Sequence, residues 1–139
     1  NPRLLNQDTM QDFFELRLVI EMGIVDILYV RKTDESIKKL EEIVEKEAGA
    51  KTINEILKLD IEFHSTLYKI SGNHTIERFQ RILMPVFDYM KNTLHIRSQE
   101  QTEDYVSHKV LIRILKTGTV EEFRQAMYKH LIQYFEQIK

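Results

Sequence analysis

Asp60 and His64 stand one helical turn apart inside LDIEFHSTLYKISGN, residues 59–73, where the remaining positions keep an apolar helical rhythm. At about 100° per residue, both fall near the centre of the stripe formed by Ile53, Ile56, Leu57, Phe63 and Leu67, so both are expected to face the core. Two more of the five histidines share that inward orientation on other segments. His108 lies with Tyr105, Leu111, Ile112 and Leu115; His130 lies with Phe123, Ala126, Met127 and Tyr134. A buried carboxylate without a partner is costly, and a buried neutral imidazole needs partners for both nitrogens. A divalent cation satisfies all four groups at once. The competing reading, in which the core satisfies each group singly, stays open on spacing alone. Asp104, four residues before His108, is a lesser rival carboxylate, since a place in the first turn of a helix starting at Thr102 explains it without a metal. His74, in a loop after the SGN break, and His95, on a polar face with Asp88, Lys91, Asn92 and Gln99, are expected to be solvated.

Two arginines also fall in apolar stripes. Arg17 lines up with Met10, Phe13, Phe14, Ile20, Ile24 and Leu28, and Arg97 with Phe79, Leu83, Val86 and Met90. An inward guanidinium needs an anion. For Arg17 this is either an internal ion pair with Glu21, one turn on, or the carboxylate or phosphate of a small molecule held bidentately.

The elements that must position these groups are helices, because every long segment follows the 3.6-residue period and no strictly alternating window competes with it. Six are expected: about Asp8 to Arg31; Asp34 to the EAGA stretch, opened by the capping side chains of TDES and closed at Gly49 by a left-handed turn; Thr52 to Ile70; Thr75 to Ser98, kinked by Pro85; Thr102 to near Gly118; and one from Thr119 or a neighbour to the C-terminus. The fold class is therefore all-α, an antiparallel bundle of about six helices. The first is apolar on nearly every side (Leu16, Leu18, Val19, Ile20, Ile24, Val25, Ile27, Leu28, Tyr29 and Val30), which suits either a second copy of the chain, as a homodimer, or the centre of a monomeric bundle.

Length and composition narrow the function. The 139 residues suit one domain over the whole chain, 1–139. No apolar run approaches the roughly eighteen residues of a membrane span, so no membrane partner is expected. With no cysteine, disulfides and thiolate ligands are excluded, in keeping with a reducing cytoplasm. A net charge of −2 with both signs interspersed offers no basic stripe for nucleic acid. The start at Asn1-Pro2-Arg3, without Met, is that expected of a fragment of a longer protein.

ELRLVIE, LDIEFHSTLYKISGN, SHKVLIRIL and AMYKHL together resemble, in order and approximate spacing, the FadR-like C-terminal domain (FCD) of GntR-type bacterial transcription regulators. The resemblance runs over nearly the whole chain, and its most specific stretch is Asp60-x-x-Phe63-His64 followed by Ser71-Gly72-Asn73. It implies an all-helical, dimerising effector domain in the bacterial cytoplasm, reaching DNA only through an N-terminal winged helix-turn-helix that this sequence lacks. In the metal-binding branch of that family, the ligands correspond to Asp60, His64, His108 and His130, and the first-helix arginine facing the effector pocket corresponds to Arg17. Arg97 has no such counterpart and rests on periodicity.

The leading expectation is a sensor in which a divalent transition metal (Zn, Ni, Fe, Mn or Co) and Arg17 hold a small organic acid. In octahedral geometry such an ion has two positions beyond its four protein ligands. Two alternatives stand beside it. A non-haem metal enzyme uses similar ligands, but no HExxH motif, repeated Glu-x-x-His or nucleophile with an adjacent base is present. A purely structural dimerisation module needs no ligand at all.

Overall fold

The computed structural model describes residues 6–93 and 105–138, with side chains placed at 6–91 and 105–133. All regular structure among the described residues is helical: α1 (Gln7–Gly23), α2 (Val25–Arg31), α3 (Asp34–Ala48), α4 (Ile53–Ile70), α5 (His74–Thr93), α6 (His108–Thr117) and α7 (Val120–Ile138). Over the described residues the fold is an all-α bundle of six rods, the first divided in two.

Side chains with free oxygens set the starts. Thr33 accepts from the Ser36 amide and Ser36 returns the bond, a capping box; Thr52 and Glu55 form a second, and Thr119 and Glu122 exchange the same bonds before α7. Asn73 Oδ1 takes the amides of Thr75 and Ile76 at the head of α5. Between α4 and α5, Gly72 adopts φ +70, where a Cβ would be strained and would also sit 2.9 Å from the Arg31 guanidinium. Gly49, by contrast, leaves α3 at φ −94 and ψ −1, so the left-handed turn expected there is absent. Pro85 lies inside α5 without ending it.

Two boundaries differ from the sequence reading. The helix expected to run unbroken from Asp8 to Arg31 bends at Ile24, whose ψ of −6 departs from the helical value while its amide keeps the bond to the Ile20 carbonyl. The flexible Gly23 lies just before the bend, and Ile24 and Val25 at it are both fully buried. The penultimate helix begins at His108, capped by Ser107, and not near Thr102. Tyr105–Ser107 are non-helical, and the Val106 carbonyl is used by a side chain of α7.

In the packing, α4 lies against α3 and α5, α6 against α3 and α7, and α7 against α1 and α2. Phe14, Leu28, Leu40, Phe63, Leu67, Met90, Leu111, Leu115, Phe123 and Met127 fill the interior, each removed from water at a gain of roughly 1.5 to 3 kcal/mol. The C-terminal end of α6 is tied down by α2. The Tyr29 hydroxyl lies 2.9 Å from the Thr119 carbonyl, 3.1 Å from that of Ile114 and 3.3 Å from that of Gly118, and the Lys32 ammonium donates to the Leu115 carbonyl at 2.5 Å. Of these oxygens, that of Leu115 is one a helix end leaves without a backbone partner, while those of Ile114 and Thr119 also accept from the Gly118 and Phe123 amides. Burial, then Glu122, raises Tyr29 above its ordinary value, so its hydroxyl stays a donor. The middle of α4, the start of α6 and the second half of α7 meet around one point, closed over by α1 and α5.

Candidate metal centre

Asp60, His64, His108 and His130 converge at that point: one donor atom from each lies within 4.8 Å of the others. The helical spacing of α4 brings His64 Nε2 to 3.4 Å from Asp60 Oδ1. His108, the first residue of α6, places its Nε2 3.1 Å from the same oxygen, and His130 of α7 places its Nε2 3.2 Å from that of His64. Phe63 stacks on the His108 ring at 4.0 Å and 13°, which fixes the plane of that imidazole.

The far side of each ring decides its chemistry. His64 Nδ1 bonds Glu21 Oε1, His108 Nδ1 bonds Glu47 Oε1 at 2.7 Å, and His130 Nδ1 bonds the Val106 carbonyl at 2.7 Å. Carboxylate and carbonyl oxygens accept, so all three Nδ1 atoms must donate, and each neutral ring then turns the lone pair of its Nε2 inward. Two such lone pairs face each other between His64 and His130, and the buried Nε2 of His108 faces Asp60 Oδ1. Outer acceptors that hold imidazoles in this tautomer are what metal-ligating histidines possess. One carboxylate oxygen and three imidazole nitrogens also form a donor set suited to a divalent transition metal, and on this chemistry the residues fit such an ion.

The carboxyls around the cluster stay ionised despite their burial. Burial would raise Glu21, but His64 and Arg17 outweigh it and hold the carboxyl down at about 2. Burial also opposes ionisation of Asp60, yet Lys91, then His64 and His108, keep it well below the usual carboxylate range. For His108, burial is outweighed by Asp60 and Glu47, which raise the ring above its ordinary value. His130 goes the other way: burial, then the neighbouring His108 and His64, push it well down and keep it neutral.

All four residues expected inward therefore meet. Arg17 is buried as expected, and its Nε donates to Glu21 Oε2 at 2.6 Å while the guanidinium lies over the Phe87 ring at 5.4 Å; the internal ion pair is present. Arg97, His95 and the rival Asp104 lie outside the described residues. His74 is exposed, 3.7 Å from Glu77. Lys91 overturns an expectation: read from sequence as part of a polar face, it is buried and its ammonium bonds Asp60 Oδ2. The period does hold a signal for it, since Gln80, Met84, Phe87 and Lys91 repeat at helical spacing and all four are buried. Glu47 and Val106 were also missed. Their pairings join residues 61 and 24 positions apart, for which spacing along one helix carries no signal.

A family model described as the FCD domain matches residues 12–133. The chain belongs to the FCD domain family. It is 27% identical over 138 residues to the Nta operon transcriptional regulator of Aminobacter aminovorans, a match covering 98% of this chain and 64% of that protein. It is 24% identical over 127 residues to YcbG, an uncharacterized HTH-type transcriptional regulator of Bacillus subtilis (strain 168), covering 91% of this chain and 53% of that protein. The chain thus spans roughly half to two-thirds of the relatives it matches. No solved structure matches it significantly. No helix among the described residues is long and apolar enough to cross a membrane.

Proposed function

We propose that this FCD domain is the effector-sensing part of a bacterial, cytoplasmic transcription regulator, and that it binds a divalent transition metal through Asp60, His64, His108 and His130. The observation that carries the reading is the commitment of all three Nδ1 protons to outer acceptors, which leaves three Nε2 lone pairs and Asp60 Oδ1 directed at one another. The ion supplies a positive centre and, for metals that accept six donors, room for ligands beyond the protein's four. Its identity lies among Zn, Ni, Fe, Mn and Co.

A small organic acid is the effector that suits such a centre. Arg17 and Lys91 add positive charge inside the same core, and a carboxylate gains a charge-assisted hydrogen bond from a guanidinium. In this reading the domain works by binding and not by turnover, as both relatives are named transcriptional regulators. The domain acts as a homodimer in this reading. Effector occupancy biases the arrangement of the two copies, and with it the attached winged helix-turn-helix heads that alone touch DNA.

Elemental analysis of the purified protein tests the centre: about one transition metal per chain is expected, and its loss on chelation should lower the melting temperature. A thermal-shift panel of mono-, di- and hydroxy-carboxylates tests the effector class. At least one acid should stabilise the metal-loaded protein, and the shift should shrink after metal removal and in Arg17→Ala. Metal-free protein that melts as the loaded form does, or a panel with no stabilising acid, refutes the corresponding half.

A further inference from the structure

Lys91 is a cation placed where a metal-binding protein has most reason to avoid one. It is buried, and its ammonium bonds Oδ2 of Asp60, the same carboxylate whose Oδ1 faces the Nε2 atoms of His64 and His108. Outer-sphere partners of histidine ligands accept hydrogen bonds and so strengthen the ring as a donor, whereas those of a carboxylate ligand donate. Glu21, Glu47 and the Val106 carbonyl do this for the three imidazoles. An ammonium on a carboxylate does the reverse: it draws off the charge that the metal would otherwise receive.

The buried charges show how far this goes. Arg17 and Lys91 are matched by Glu21 and Asp60, while Glu47 is only partly buried. The core is balanced without any metal. A divalent ion held by neutral imidazoles therefore adds uncompensated positive charge close to the Lys91 ammonium, at the low effective dielectric of an interior. That excess is removed by an anion.

We propose that Lys91 is a positioning residue that holds the metal affinity of the Asp60 centre down and makes it depend on a bound carboxylate, so that metal and organic acid load together. The inference rests on reading Asp60, His64, His108 and His130 as a metal centre. Its physical content is linkage: an anion that offsets the repulsion between Lys91 and the metal tightens the metal, and the metal tightens the anion by the same factor. Lys91 thereby converts a plain metal site into one that responds to an acid.

The test is Co2+ titration of the whole chain in a carboxylate-free sulfonate buffer, followed by visible absorption, with and without 20 mM acetate as the probe anion (about a hundredfold over typical protein concentration). Wild type is compared with Lys91→Met, Lys91→Gln and Lys91→Arg. Lys91→Met and Lys91→Gln should bind Co2+ at least tenfold more tightly than wild type without acetate. Acetate should tighten wild type and Lys91→Arg severalfold and change the two neutral variants less than twofold. Lys91→Gln retains a donor toward Asp60, so it reports on charge even where Lys91→Met fails to fold. If the folded neutral variants bind Co2+ equally or more weakly, Lys91 only packs and orients Asp60, and the proposal is overturned while the metal centre stands. Wild type that takes up no Co2+ in either buffer overturns the centre itself, and the proposal with it.

Discussion

The two ends of α6 place buried polar groups under opposite rules. At the C-terminal end, the carbonyls of Ile114, Leu115 and Thr119 are met by the Tyr29 hydroxyl and the Lys32 ammonium, protein atom to protein atom. At the N-terminal end, His108 joins His64, His130 and Asp60, whose outward atoms have protein partners while the inward nitrogens face one another. A closed polar junction is complete and contributes to stability. An open one carries unmet acceptors, costly to bury, and implies a further partner.

This contrast can be broken most forcefully at the open end. His64→Ala or His130→Ala should lower metal affinity by more than about a hundredfold, beyond the range for losing an outer-shell partner. Equilibrium dialysis with metal analysis measures this, and unchanged binding in both variants would remove the distinction between the two ends. Glu47→Gln should have the next largest effect, about ten- to a hundredfold, because His108 loses the carboxylate that fixes its tautomer while keeping its place on Phe63. Chelation should destabilise the loaded protein by about 2.7 kcal/mol relative to free metal at a hundred times its Kd, read from denaturant curves. Tyr29→Phe sharpens the other side: a cost of about 1 kcal/mol in stability with metal affinity unchanged. If it lost metal as His64→Ala does, the two ends of α6 would be one site. The smallest effect belongs to His74→Ala, which should alter neither quantity, since His74 is exposed.

Periodicity along single helices made much of this legible. It gave the helical class and the inward direction of Asp60, His64, His108 and His130, while residue type gave the SGN break at Gly72 and the capping side chains of TDES. What it missed depends on contacts between helices. The bend lies where Ile24 and Val25 pack into the core against neighbouring rods, contacts that no pattern along one helix contains. Ser107 displaces Thr102 as the start of α6, with the Val106 carbonyl kept out of the helix and bonded to His130. Glu21 was legible as a partner for Arg17, yet its bond to His64 spans 43 residues and no local pattern announces it. Lys91 was misread because a lysine in a mixed stripe is ordinarily solvated, whereas here its ammonium pairs with Asp60 on the facing helix.

The three Nδ1–H bonds also make the site visible to magnetic resonance. Each proton sits between a ring nitrogen and a protein oxygen, two of them against carboxylates, and the rings that carry them are shielded from water. Protons so held exchange slowly with solvent, because release requires a local opening of the helices around them. They should appear as discrete low-field proton signals, assignable one at a time: Glu47→Gln moves the His108 proton and spares the other two. The outward bonds of the three histidines are thus reporters already in place, able to register order at the centre of the bundle without any added label.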